Sequence, residues 1–181
     1  MKTIGFLELN SIAKGIEVAD AMIKAAECEL VFAKSGCPGK YCVLITGDVG
    51  AVKSSIEVGE NVGESFVVDK LIIPSVHPQV IKTINMANEC AELNAIGVLE
   101  YFSITASIVG ADTAAKASNV SLLDIRLGTG IGGKSYVVLT GDVSAVTEAI
   151  EAGARKSIES GMLINKVVIP NPRPEIFDAL I

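Results

Sequence analysis

The feature that most constrains this chain is that it says the same thing twice. "IGFLELNSIAKGIEVADAMIKAAECELVFAK" from Ile4 runs beside "IGVLEYFSITASIVGADTAAKASNVSLLDIR" from Ile96. "VLITGDVGAVKSSIEVG" then matches "VVLTGDVSAVTEAIEAG", and "VDKLIIPSVHPQV" matches "INKVVIPNPRPEI". The offset is 92 at Ile4/Ile96, 94 at Gly47/Gly141 and 96 at Pro74/Pro170, so the second copy carries two insertions of two residues each. One insertion falls at a glycine-rich loop. A period near 90 residues is too long for a solenoid and fits two copies of a small complete domain. The expected domains are 1–90 and 95–181, joined by a linker at about Gln79–Asn94 whose run "VIKTINMANECAEL" predicts a helix closing the first copy.

Each copy predicts the same order of elements. "TIGFLEL" alternates as a strand. "SIAKGIEVADAMIKAAE" is a helix, with Ile16, Ala19, Ile23 and Ala26 at helical spacing. "CELVFAK" and "YCVLITG" are strands joined by "SGCPGK". Asp48 is the expected N-cap of a second helix, "VGAVKSSIEVGENVG", with Val52, Ile56 and Gly59 on one face. "SFVVDKLIIP" is a fourth strand, ended by Pro74. The pattern βαββαβ predicts an α+β fold: two tandem ferredoxin-like domains, each an antiparallel sheet with helices on one face.

Composition narrows the function. The net charge of −6 argues against nucleic acid and against an anionic membrane surface as partner. No apolar run approaches the roughly 18 residues of a membrane span. The opening "MKTIGFLELN" is broken by Glu8 and does not read as a signal peptide. The expected location is cytoplasmic, where cysteines are thiols or metal ligands rather than disulfides. There is one histidine, His77, and no nucleophile–base pairing, so no enzyme is expected.

"GTGIGGKS", Gly128–Ser135, satisfies the phosphate-loop pattern G-x-x-x-x-G-K-[ST]. Its context contradicts that reading, because a phosphate loop opens a helix and this one feeds the strand "SYVVLTG". The matching loop of the first copy, "SGCPGKYC", lacks the pattern. Both loops read as tight β-β connections in which glycine supplies positive φ. That leaves Cys37 unexplained: a cysteine between a glycine and a proline, at what should be an exposed loop tip.

"IEVADAMIKAAECELV", "TGDVGAVKSSIEVG" and "LIIPSVH", with their second-copy counterparts, resemble the shell proteins of bacterial microcompartments across almost the whole chain. The duplication is similar to their tandem-domain type. The resemblance implies a homotrimer that mimics a hexamer and tiles into a shell with other shell proteins. It also implies that the loops between the second and third strands line a central pore. Those loops contain Ser35, Gly36, Pro38 and Gly39 in the first copy and Gly128, Thr129 and Gly130 in the second. "GCPGK" looks like the tandem shell proteins of propanediol-utilisation compartments, whose pore holds an iron–sulfur cluster on one cysteine per chain. The carried residue is Cys37, the implied role electron transfer across the shell, and the implied partner a lumenal redox enzyme.

Threefold symmetry would bring three Cys37 thiolates to one point. A [4Fe–4S] cluster shared by three chains is the expected cofactor, with one iron left for another ligand. A [3Fe–4S] cluster would fit the symmetry without remainder, and zinc is a weaker option. Cys28 at a helix end, Cys42 in a strand and Cys90 in the linker read as small buried thiols. Cys37 and Cys42 together make only a fragment of a ferredoxin spacing. The resemblance also implies tile-edge roles for Lys24 and Lys116 in the "DAMIKAA"-type helices, and for His77 and Arg173 after the last strands. Ser75 and Asn171 stand where the family often has arginine. Two other readings stay open: a tile with an open metabolite-conducting pore and no cluster, and a soluble tandem protein that binds a small molecule or nucleotide.

Overall fold

A computed structural model describes residues 2–87 and 93–180. The chain divides into two compact units, Met1–Val76 and His77–Ile181. In the first, β1 (Thr3–Leu9) is followed by α1 (Ile12–Ala25), β2 (Cys28–Gly36), β3 (Lys40–Gly47), α2 (Val49–Gly63) and, after a short 3₁₀ turn, β4 (Val67–Ile73). The second opens with α3 (Pro78–Ile84) and repeats the order as β5 (Ala95–Tyr101), α4 (Ile104–Ala117), β6 (Ser121–Leu127), β7 (Ser135–Gly141), α5 (Val143–Glu159) and β8 (Leu163–Ile169). It closes with α6 (Pro174–Leu180).

The sheets run β2-β3-β1-β4 and β6-β7-β5-β8, antiparallel throughout, which is the ferredoxin-like order expected from βαββαβ. Even the irregularities repeat. β2 bulges between Leu30 and Phe32, and β6 between Leu122 and Asp124. The two insertions are also located. One lies in the β6–β7 loop, where seven residues join the strands against three between β2 and β3, and the other in α5, which has 17 residues where α2 has 15.

The first core forms where β1 and β3 meet α1 and α2, from Leu7, Leu9, Val18, Met22, Val43, Ile45, Val52 and Ile56. The predicted face of α2 is the buried one, Val52, Ile56 and Gly59. Of the predicted face of α1 only Ala19 is buried. Gly15, Val18, Ala19 and Met22 are buried, while Ile16 and Ile23 are exposed. Apolar spacing recurs on two faces of this helix, and the face that turns inward is the one carrying Gly15, where α1 lies close against β3. A Cβ on Gly15 would overlap the Tyr41 side chain. Ser11 and Ser103 cap α1 and α4, accepting from the Lys14 and Ala106 amides at 3.3 and 3.2 Å. Asp48 occupies its expected N-cap position without a side-chain capping bond. Cys28 begins β2 rather than ending a helix, because α1 stops at Ala25.

The second unit is built around a closer helix pair. The Tyr101 hydroxyl donates to the Gly153 carbonyl at 3.2 Å, and a Cβ at Gly153 would lie 2.9 Å from the Gly110 carbonyl. A Cβ on Gly110 would overlap the buried Tyr101 hydroxyl. Helix propensity favours alanine over glycine by about 1 kcal/mol, but overlap with a fixed aromatic group costs more. Gly110→Ala is therefore expected to destabilise the protein by roughly 2 kcal/mol, read as a lower midpoint in thermal unfolding followed by circular dichroism. A stabilised variant would mean that α4 and α5 can separate without loss.

Candidate functional site

The β2–β3 hairpin carries the site. It is the outer hairpin of its sheet, held by β3 pairing with β1 over the full strand, from Thr3↔Gly47 to Leu9↔Tyr41. The strands stay paired to Gly36↔Lys40, so only Cys37, Pro38 and Gly39 form the tip. The Gly39 amide donates to the Gly36 carbonyl at 2.9 Å, and the Cys37–Pro38 peptide is cis, the arrangement of a type VI turn. Gly39 has φ +87°, a region that favours glycine.

This tip is bare. Cβ atoms placed on Gly36 and Gly39 would meet nothing within 4 Å. Ser35, Pro38 and Gly39 are exposed and Cys37 is half-buried. Below the tip an ion pair ties the hairpin to the centre of the sheet. Lys40 Nζ lies 2.9 Å from Glu8 Oε1, and the Glu8 side chain is only 5% exposed. On the other strand Lys34 stands over the Phe32 ring, 4.6 Å from its centroid.

The β6–β7 loop is different. Gly128, Gly130, Gly132 and Gly133 all have positive φ, and the loop runs into β7 rather than a helix. The amide cradle that a helix N-terminus would supply to a phosphate is therefore missing, as the sequence context predicts. Thr129 and Gly130 are exposed, whereas Gly128 is buried against Ile104. The corresponding ion pair, Lys134 to Glu100, is longer at 3.3 Å and more exposed.

The cysteines separate by position. Cys42 is buried in β3, and burial with the neighbouring Glu8 charge pushes its thiol up to about 12. A thiol so reluctant to ionise is a poor partner for Cys37 in a ligand set. Cys28 takes a 3.5 Å hydrogen bond from the Ser55 hydroxyl. Cys90 lies outside the described residues. Among the described residues no group of three ligating side chains is gathered in one chain. The fit to a metal cluster therefore rests on one thiol per chain, Cys37 at its bare tip.

The expected edge residues lie elsewhere. Lys24 is exposed on α1 and paired with Asp20 at 2.5 Å. Lys116 pairs with Asp112 at 2.6 Å, and the same carboxylate takes the His77 backbone amide at 2.7 Å, so these two residues meet on one buried acid. Arg173 is 82% exposed and pairs with Glu175. Sequence reasoning missed Asp112 and Glu8. Both are acids in apolar stretches, "VGADTAA" and "GFLEL", which is the signal that could have marked them as partnered.

Two expectations follow. In metal-free protein at pH 8 a small thiol-alkylating reagent should modify Cys37 rapidly, while Cys42 stays protected until the protein unfolds; mass spectrometry of the labelled peptides reads the order. Glu8→Gln should destabilise the protein by about 1–3 kcal/mol, since it leaves Lys40 without its charge partner in a partly buried place. Denaturant unfolding measures it.

The BMC domain family matches residues 3–76 and again residues 95–172. The chain is 41% identical over 180 residues to the bacterial microcompartment shell protein PduT of Citrobacter freundii, covering 99% of this chain and 98% of that one. It is 38% identical over 85 residues to the shell protein PduA of the same organism, 45% of this chain and 89% of that one. The crystal structure of a microcompartments protein from Desulfitobacterium hafniense superposes with a TM-score of 0.95 at 52% identity, over 98% of this chain and 99% of that chain. The same domain occurring twice on the same sheet order makes this chain a tandem-domain member of the bacterial microcompartment shell-protein family.

Proposed function

We propose that the protein is a structural tile of a bacterial microcompartment shell, assembled as a homotrimer, with an iron–sulfur cluster held by three copies of Cys37 at a central pore. The observation that carries this reading is the bare hairpin tip with one half-buried thiol. Among the described residues a single chain gathers no ligand set, and a threefold axis multiplies one thiol to three. Bound there, the cluster supplies one-electron transfer between the two sides of the shell, and an enzyme on the lumenal side is the redox partner.

The chain's own residues do the rest. The paired strands hold the tip rigid, and the Glu8–Lys40 pair anchors its base. Lys34 and Lys40 bring positive charge near an anionic centre. Gly36 and Gly39 carry no side chain and leave the tip backbone open to close approach, while the Gly39 amide closes the turn on the Gly36 carbonyl. Ser35, Pro38, Thr129 and Gly130 line the mouth. Lys24 and Lys116 are the candidates for contact between neighbouring tiles. Among the described residues no helix is long and apolar enough to cross a membrane.

Iron and acid-labile sulfide in anaerobically purified protein, beside Cys37→Ser, test the proposal. About 1.3 irons per chain, absent from the variant, is the expected result for [4Fe–4S] on the axis, and about one per chain would indicate [3Fe–4S]. An iron-free protein that still forms trimers after anaerobic reconstitution would favour the open thiol-lined pore instead.

A further inference from the structure

The two copies are alike in backbone and unlike in exposure. β2 and β6 are both edge strands with the same register and the same bulge. In the second unit α3 lies against β6 and touches α4. The Gln79 amide spans the strand edge, accepting from the Leu122 amide at 2.8 Å and donating to the Val120 carbonyl at 3.1 Å. Val80 beside it is fully buried, and the His77 amide ends on Asp112. In the first unit the counterparts are open. Leu30 is 48% exposed where Leu122 is 3%, and Ile16 is 56% exposed where Ile108 is 0%. Asp20, the counterpart of Asp112, is paired among the described residues with the exposed Lys24.

The chain has a second copy of the covering segment. Arg173, Glu175 and Ile176 stand where His77, Gln79 and Val80 stand in the first repeat. Phe177 holds α6 on its own unit, against Ile96 and Val138. Ile176 is left 45% exposed and Arg173 82%. Within one chain both halves of the match therefore lie open: an apolar edge with an acid, and a tail with an apolar residue and a cation.

We infer that the tail of one chain, Arg173–Ile176, docks on the α1–β2 edge of a second copy, repeating between chains the packing that α3 makes on β6. Ile176 covers Leu30, and the Arg173 amide and guanidinium meet Asp20. Glu175 accepts from the Leu30 amide as Gln79 accepts from Leu122, and lacks the donor that Gln79 turns to Val120. Each chain offers one such tail and one such edge, so the contact is heterologous and either closes a ring or runs on as a filament. The inference rests on the proposed homotrimer for closure, and it gives Arg173 a role inside the ring rather than between tiles.

The test uses full-length protein in which a photo-crosslinking residue replaces Ile176, mixed from light and ¹⁵N-labelled chains. Expected are mixed-isotope crosslinks to peptides spanning residues 12–30. Asp20→Arg and Arg173→Asp should each weaken assembly about tenfold by sedimentation equilibrium, with the double exchange recovering most of it. Circular dichroism confirms that the exchanged chains fold. An intact trimer with crosslinks confined within single chains, or single exchanges that do not alter assembly, would overturn the docking and leave the proposed tile standing. A chain that stays monomeric at all concentrations would overturn both.

Discussion

Pairing of β3 with β1 is the interaction on which the rest of the structure depends. β1 sits between β3 and β4 and is buried along its whole length. Its inner face closes the core with Leu7 and Leu9, and its register with β3 sets how far the outer hairpin projects. Once Leu9 is opposite Tyr41, the Gly36–Lys40 pair and the three-residue tip follow without freedom to slide. A slip of one residue would turn Val43 and Ile45 out of the core. The position of Cys37 is thus fixed by hydrophobic residues that never touch it. Glu8 contributes from the same strand, since its side chain emerges opposite Leu7 and Leu9 and reaches Lys40.

The sheet order, the helices and both hairpin loops were legible in the sequence because the repeat provided two independent readings of each element. Strands with β-branched alternation and turns with Pro-Gly or Gly-Gly are locally determined. The α1 face was not legible, because Ile16 and Ile23 look like core residues by spacing. A helix that packs inward through Gly15 and outward through isoleucine defeats a rule that assigns the larger residues to the core. The Asp112 site was hidden for another reason. Its partners His77 and Lys116 sit 35 and four residues away, and the first contact exists only because α3 joins the second unit.

The differences between copies carry more information about function than the similarities. An identical core would give each unit the same edge and the same loop. Instead the first copy has the short cysteine tip with a tight buried ion pair beneath it, and the second has a longer loop of glycines above a looser one. The same divergence separates a covered edge from an open one. Leu30 and Leu122 are the same residue at the same register, so their exposures of 48% and 3% reflect what lies over them rather than what they are.

Duplication also solves a counting problem that a single domain cannot. Six identical domains around an axis would place six cysteines at the centre, or none. Cubane clusters take about four thiolates, and structural zinc about four donors. Six thiolates crowded at one point would also repel as like charges. Fusing two domains and keeping the cysteine in only one loop halves the number to three while preserving the pseudo-sixfold outline of the proposed trimer. In that proposed trimer the second loop, relieved of ligand duty, can be longer and richer in glycine, with Thr129 as its exposed polar side chain. On this argument the absence of a cysteine from "LGTGIGG" is as much a part of the proposed site as Cys37 itself.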